Sequence, residues 1–299
     1  MQKLLTATGL TALLASSAMA QEAITEFNIG ILGGENAQDR MTNLECFRTK
    51  VEAELGVPTK LFTPADYDGV IQGLLGGTLD FAWLGASAYA KTYLTNPEAV
   101  DVLLTKQNSD GTTGYYSIGF AKIDSGITSM EDAKGKVFAF ADPNSTSGYL
   151  VPGAELQEKF GKLEDYFAEV KMSGGHEQSI VGVANGDFDA AVAWADGLGN
   201  WEDGYNSGAF RKASDSGLVD MTTITEIWRS ALIPEGPMVV RRTLPQDAKD
   251  KMYAMLDTMW ETDAECAYAV AAGEAKDFVP VKHEDYLGII AARKLEEGL

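Results

Sequence analysis

Val137-Phe138-Ala139-Phe140-Ala141 runs directly into Asp142-Pro143-Asn144-Ser145-Thr146-Ser147-Gly148, and then into Tyr149-Leu150-Val151. The first segment is an apolar run of strand length. The second is built of turn formers and hydroxyls. The third opens a helix that continues through Ala154, Glu155, Leu156 and Gln157. A buried strand, a polar turn and a helix in that order form the repeating unit of an α/β fold with parallel strands. Ser145 is a natural N-cap, and Thr146 and Ser147 fall in the first helical turn. A helix N-terminus presents unpaired N–H donors and about half a positive charge, so it attracts anions. Capping accounts for one of the three adjacent hydroxyls. The others add donors without adding charge, which suits a tetrahedral oxyanion.

The same unit recurs on both sides. Phe27 to Leu32 reads as a strand stopped by Gly33-Gly34, and residues 38–55 carry helical spacing at Met41, Leu44, Phe47 and Val51. Lys60 to Thr63 is a short strand, and Asp66 is placed to cap a helix with Val70, Ile71, Leu74 and Leu75 on its apolar face. Phe81 to Leu84 is a strand followed by a helix from about Ser87. Strands at Val100 to Thr105 and Tyr115 to Ala121 come next. Beyond the central unit lie a strand at Glu169 to Met172, a helix after His176 and a strand at Phe188 to Ala193. This rhythm predicts parallel sheets covered by helices. Gly197 to Gly217 reads as loops, and from about 245 the pattern predicts helices only, the last over Asp285 to Glu297. Two α/β halves and a helical tail predict two lobes with a cleft between them.

The first twenty residues stand apart. Lys3, the apolar run Leu4 to Ala15 and the small-x-small site Ala18-Met19-Ala20 make a secretory leader, cut after Ala20. With 24 Lys+Arg against 44 Asp+Glu the formal charge is −20, and losing Lys3 with the leader makes it −21. Such a balance argues against nucleic acid or an anionic membrane surface as partner. No later segment approaches the roughly 18 apolar residues of a membrane span. Cys46 and Cys266 are the only cysteines. In an exported chain they are either one disulfide or two buried thiols. With His176 and His283 they make no zinc spacing, so neither metal nor cofactor is expected.

Asp66-Tyr67, Gly85-Ala86-Ser87 and His176 also open helices after strands, where open α/β folds bind ligands. An enzyme reading uses Ser147 as nucleophile, His176 as base and Asp196 as orienter. No Gly-x-Ser-x-Gly elbow accompanies it, and the residues favour binding over hydrolysis.

Several blocks together resemble a known family. They are Asp66-Tyr67 with Val70-Ile71-Gln72-Gly73, Asp80-Phe81-Ala82-Trp83-Leu84-Gly85, and Asp110-Gly111 with Gly114-Tyr115-Tyr116-Ser117. Asp142 to Gly148, Val151-Pro152-Gly153, His176-Glu177, Val183-Ala184-Asn185 and Ile227 to Pro234 follow in order. From about Phe27 to Arg242 the chain resembles the periplasmic phosphonate-binding proteins of ABC importers, the PhnD type. The resemblance implies a two-lobed periplasmic-binding-protein fold with two crossover strands. On that basis residues 1–20 are leader, 21–116 the first part of lobe 1, and 117–227 lobe 2. Residues 228–299 return to lobe 1 and end in helices.

It further implies a periplasmic, monomeric, non-enzymatic protein that closes on a phosphonate and delivers it to a permease and its ATPase. Ser145, Thr146 and Ser147 would hold the phosphonyl oxygens, and Tyr67, Tyr115 and His176 would complete the pocket. Where aminoalkylphosphonate binders carry a Glu for the ligand amine, this chain has Asp196. Where they carry a second acid it has Gly236, with Glu235 adjacent. The implied ligand is 2-aminoethylphosphonate or another alkylphosphonate. A smaller oxyanion such as phosphite, methylphosphonate or phosphate is the alternative.

Overall fold

The computed structural model describes residues 24–33 and 37–299. The leader at residues 1–20 and its cleavage site lie outside the described residues. Those described contain thirteen strands: β1 (Phe27–Gly30), β2 (Thr59–Phe62), β3 (Phe81–Trp83), β4 (Val100–Val102), β5 (Leu104–Gln107), β6 (Gly114–Lys122) and β7 (Val137–Phe140), then β8 (Glu169–Met172), β9 (Ala190–Ala195), β10 (Ile224–Arg229), β11 (Ile233–Pro234), β12 (Met238–Arg241) and β13 (Asp277–Pro280). One sheet has the order β2-β1-β3-β12-β4 and a second the order β10-β6-β9-β7-β8, with β11 beside β6. Each sheet is the centre of one lobe.

The sheets are mixed rather than wholly parallel, which corrects the sequence expectation. Strands β1, β2 and β3 run parallel, as do β7, β8 and β9. In the first sheet β12 is antiparallel to both its neighbours, and in the second β6 is antiparallel to β9 and β10. These reversed strands are the ones that bring the chain in from the other lobe. A chain entering from the cleft meets the carboxyl ends of the resident strands, so it has to run against them.

Three further readings change. Val100 to Thr105 is not one strand: Leu103 donates its N–H to Met238 O at 2.9 Å, closing β4, and β5 then starts a separate pairing with β13. The tail from 245 is therefore not helical throughout. Its strand β13 is short, and only Phe278 in it is fully buried, too little to give a period-2 signal. The loop-rich segment 197–217 contains the helix Ala209–Asp215, whose Ala209, Phe210 and Ala213 pack into the core of the second lobe.

Cys46 and Cys266 form a disulfide with a Cα–Cα distance of 5.8 Å. It joins the helix Glu45–Leu55 to the helix Ala264–Ala271, so the tail is stapled onto the first lobe. Tyr286 and Ile290 of the tail pack in the core around Tyr89 and Val239. No helix among the described residues is long and apolar enough to cross a membrane. The disulfide closes a loop of 220 residues in sequence separation, and constraining so long a loop in the unfolded chain is worth about 2–4 kcal/mol. Replacing both cysteines by serine is expected to lower Tm by several degrees, at ~2–4 °C per kcal/mol for a chain of this size. Thermal unfolding by circular dichroism, with and without reductant, checks it.

Candidate ligand-binding cleft

Four helices begin at one cavity between the lobes. Tyr67–Leu75 and Ala86–Thr95 come from the first lobe, and the turn Thr146–Leu150 and the helix His176–Asn185 from the second. The cavity is lined by Tyr67, Gly85, Tyr115, Ser145, Thr146, Ser147, His176, Trp194 and Glu235. Each helix starts after a strand has ended; Asp66 and Ser145 cap two of them from the side chain, and Gly85 and Gly175 stand at the N-caps of the other two. Asp66 Oδ1 accepts from Gly69 N–H at 2.9 Å and Ser145 Oγ from Gly148 N–H at 2.9 Å.

The hydroxyl loop is tightly built. Its first turn is the wide, π-type turn Thr146–Leu150, which passes into the α-helix Val151–Phe160 with Pro152 near its start. Pro152 has no N–H to offer the preceding turn, and the carbonyls of Ser147 and Gly148 there accept from Ser117 Oγ at 2.7 Å and Ala141 N–H at 2.8 Å instead. Ser145 Oγ also lies 3.1 Å from His176 Nε2. A Cβ on Gly148 would stand 2.6 Å from Ala141 Cβ and 2.8 Å from Ser145 Oγ, so the close approach of these groups requires glycine.

Contacts from the first lobe hold the same loop across the cleft. Ser87 N–H donates to Thr146 Oγ1 at 2.9 Å, and Tyr67 N–H to Asp142 Oδ2 at 3.3 Å. Asp142 Oδ1 accepts from Asn144 N–H at 2.7 Å, and burial raises this carboxyl above its ordinary range. Arg293, in the tail helix Leu287–Glu296, donates to Pro143 O at 2.8 Å and to Asn144 Oδ1 at 2.9 Å. Burial also pushes the Tyr115 phenol upward, Glu235 adds to this, and hydrogen bonding with Ser147 and Thr146 opposes it. Tyr115 is therefore a neutral donor beside the hydroxyls.

Six of the seven expected site residues line this cavity: Tyr67, Tyr115, Ser145, Thr146, Ser147 and His176. Asp196 stands behind the wall. Its carboxylate accepts from Leu198 N–H at 3.1 Å and Ser207 Oγ at 3.0 Å. A Cβ on Gly236 would come within 2.0 Å of Leu84 O, so no side chain fits there and the acid facing the cavity is Glu235. Ser145, not Ser147, meets His176, and the Ser147–His176–Asp196 arrangement is not assembled by these contacts. Arg40 and Lys212 also line the cavity. Neither was legible in the sequence, nor was Arg293, because each reaches the site from an element remote in the chain. Lys106, buried near Glu235, lies one residue beyond the strand expected over Val100 to Thr105.

The chain matches the model of a family described as ABC transporter, phosphonate, periplasmic substrate-binding protein over residues 29–286. It is 31% identical to the phosphonates-binding periplasmic protein of Escherichia coli (strain K12), over 94% of this chain and 79% of that protein. It is 27% identical to the phosphate-import protein PhnD of Mycolicibacterium smegmatis, over 96% of this chain and 94% of that one. Among solved structures it is similar to a binding protein component of an ABC phosphonate transporter from Pseudomonas aeruginosa. That match has a TM-score of 0.77 at 27% identity and covers 91% of this chain and 86% of the other.

Ser145→Ala removes a helix cap and one partner of His176. Loss of the cap alone costs about 1 kcal/mol, so Tm is expected to fall by ~2–4 °C, with His176 loosened; differential scanning calorimetry and histidine NMR line widths check the two effects.

Proposed function

The chain belongs to the periplasmic substrate-binding proteins of phosphonate ABC transporters, and we propose on that footing that it holds a phosphonate in the cleft described above, through Ser145, Thr146, Ser147, Tyr67, Tyr115 and His176. One observation carries the reading: four helix N-termini and three adjacent hydroxyls converge on a single cavity between the lobes. Helix N-termini and hydroxyls supply donors to oxyanion oxygens without a full countercharge, so the ligand is held yet can be released.

The family is one of exported proteins, and the proposed export signal is residues 1–20, cut after Ala20. Lobe 2 is taken as 117–227, flanked by the two passages of the chain between lobes. Both lobes supply contacts to the hydroxyl loop, so a ligand seated on it favours the closed arrangement, which a permease with its ATPase can recognise. The protein acts as a monomeric carrier and makes or breaks no bond. Ser145, the hydroxyl beside His176, is engaged in capping, which suits a binding role better than a nucleophilic one.

Thermal unfolding of the purified protein against methylphosphonate, 2-aminoethylphosphonate, phosphite, phosphate and a small sugar tests the reading. A ligand at a thousand times its Kd stabilises by about 4 kcal/mol, so a phosphonate is expected to raise Tm by several degrees and the sugar to leave it unchanged. Thr146→Val leaves Ser87 N–H without its acceptor and removes a donor to the ligand. One buried unpaired group costs about 1–3 kcal/mol, so affinity is expected to fall roughly 10- to 100-fold. A response to phosphate or phosphite alone would move the ligand to the smaller oxyanions. No response to any phosphorus compound would overturn the reading.

A further inference from the structure

Lys106 lies on β5 and is completely buried, a setting in which lysine is found only with partners. Its ammonium donates to Ser207 Oγ at 2.7 Å, and Ser207 donates onward to Asp196 Oδ2 at 3.0 Å. On its other side the same nitrogen stands 3.5 Å from Glu235 Oε2 and 5.2 Å from the centre of the Trp194 ring. One internal cation thus serves two buried carboxylates. Burial raises both carboxyls, with Lys106 opposing the rise in each and Asp196 adding to it at Glu235.

Glu235 and Trp194 line the cavity, and Glu235 Oε2 is buried without a hydrogen-bond donor among the described residues. Its 3.5 Å approach to Lys106 is an ion pair rather than a hydrogen bond. The wall of the cavity at Glu235 therefore holds an acceptor oxygen beside a fixed positive charge. A ligand ammonium placed there would lose its hydration and face the Lys106 ammonium at short range, where the low dielectric makes like charges repel strongly. A hydroxyl would satisfy Glu235 without bringing charge.

Resting on the phosphonate reading above, we propose that Lys106 determines specificity: it supplies from within the chain the cation that Asp196 and Glu235 require, so the cavity selects a phosphonate whose substituent is uncharged and offers a hydroxyl to Glu235. Lys106 does not itself line the cavity; it acts through Glu235 and Ser207.

Isothermal titration calorimetry with 2-hydroxyethylphosphonate, ethylphosphonate, methylphosphonate and 2-aminoethylphosphonate tests this. The unaltered protein is expected to bind the hydroxyethyl compound tightest and the aminoethyl compound at least ~10-fold more weakly, which corresponds to about 1.4 kcal/mol. In Lys106→Met, with folding checked by circular dichroism, the freed carboxylates are expected to reverse that order. Binding of the aminoethyl compound by the unaltered protein as tightly as the hydroxyethyl compound overturns the proposal, and this ranking needs no variant to fold. An unchanged order in folded Lys106→Met overturns the assignment to Lys106 while leaving the phosphonate reading in place. Failure of every phosphonate to bind removes the phosphonate reading, and the proposal falls with it.

Discussion

A protein with a formal charge of −20 can hold an anion only if it builds positive potential locally. Here aligned peptide dipoles contribute to it, beside the Arg40 and Lys212 side chains that also line the cavity. Helices starting at Tyr67, Ala86, Thr146 and His176 all open on one cavity, and each N-terminus carries about half a positive charge on groups already in place. The rest of the molecule follows from that requirement. Strands must end together at the cleft, helices must start immediately after them, and the turns between must be short and capped from within, as Asp66 and Ser145 do.

The same geometry explains the mixed sheets. If every resident strand points its carboxyl end at the cleft, a strand arriving from the other lobe has to be antiparallel to them. Strands β6 and β12 have that orientation. The lobes also meet through side chains at the hydroxyl loop itself. Thr146 receives Ser87 N–H, and Arg293 in the tail holds Pro143 O and Asn144. A tail stapled to the first lobe by Cys46–Cys266 thus reaches across to the second lobe's hydroxyl loop. Opening the cleft requires those bonds to break, so a ligand adding contacts on both sides shifts the balance toward closure.

Local signals were legible and remote ones were not. Apolar runs ended by turn formers marked β1, β3, β7 and β9, and the caps Asp66 and Ser145 were readable because a cap is decided by residues within one turn. The six cavity residues from Tyr67 to His176 followed from those turns together with the family blocks. Arg293, Arg40 and Lys212 gave no such signal, since their relation to the cavity exists only after the tail, the first helices and the helix Ala209–Asp215 have docked. The short β13 was hidden because its pairing with β5 carries information that neither segment holds alone.

The carboxylate end of the cavity shows a steric constraint changing a chemical one. Gly236 accepts from Trp83 Nε1 and Thr105 Oγ1, both at 2.8 Å, and its Cα faces Leu84 O too closely for any side chain. The backbone here is fixed by the sheet, so an acid can enter the cavity only from a neighbouring residue. Glu235 does so, with its own carbonyl held by the Tyr286 hydroxyl at 3.1 Å. Moving the carboxylate by one residue brings it within ion-pair range of Lys106, which β5 carries into the same interior. Once buried, Glu235 needs a positive partner whether or not ligand is present, because an isolated buried carboxylate is far costlier than a paired one. The cation is therefore part of the fold, and the charge this end of the site can accept from a ligand is already limited by the packing of Leu84 against Gly236.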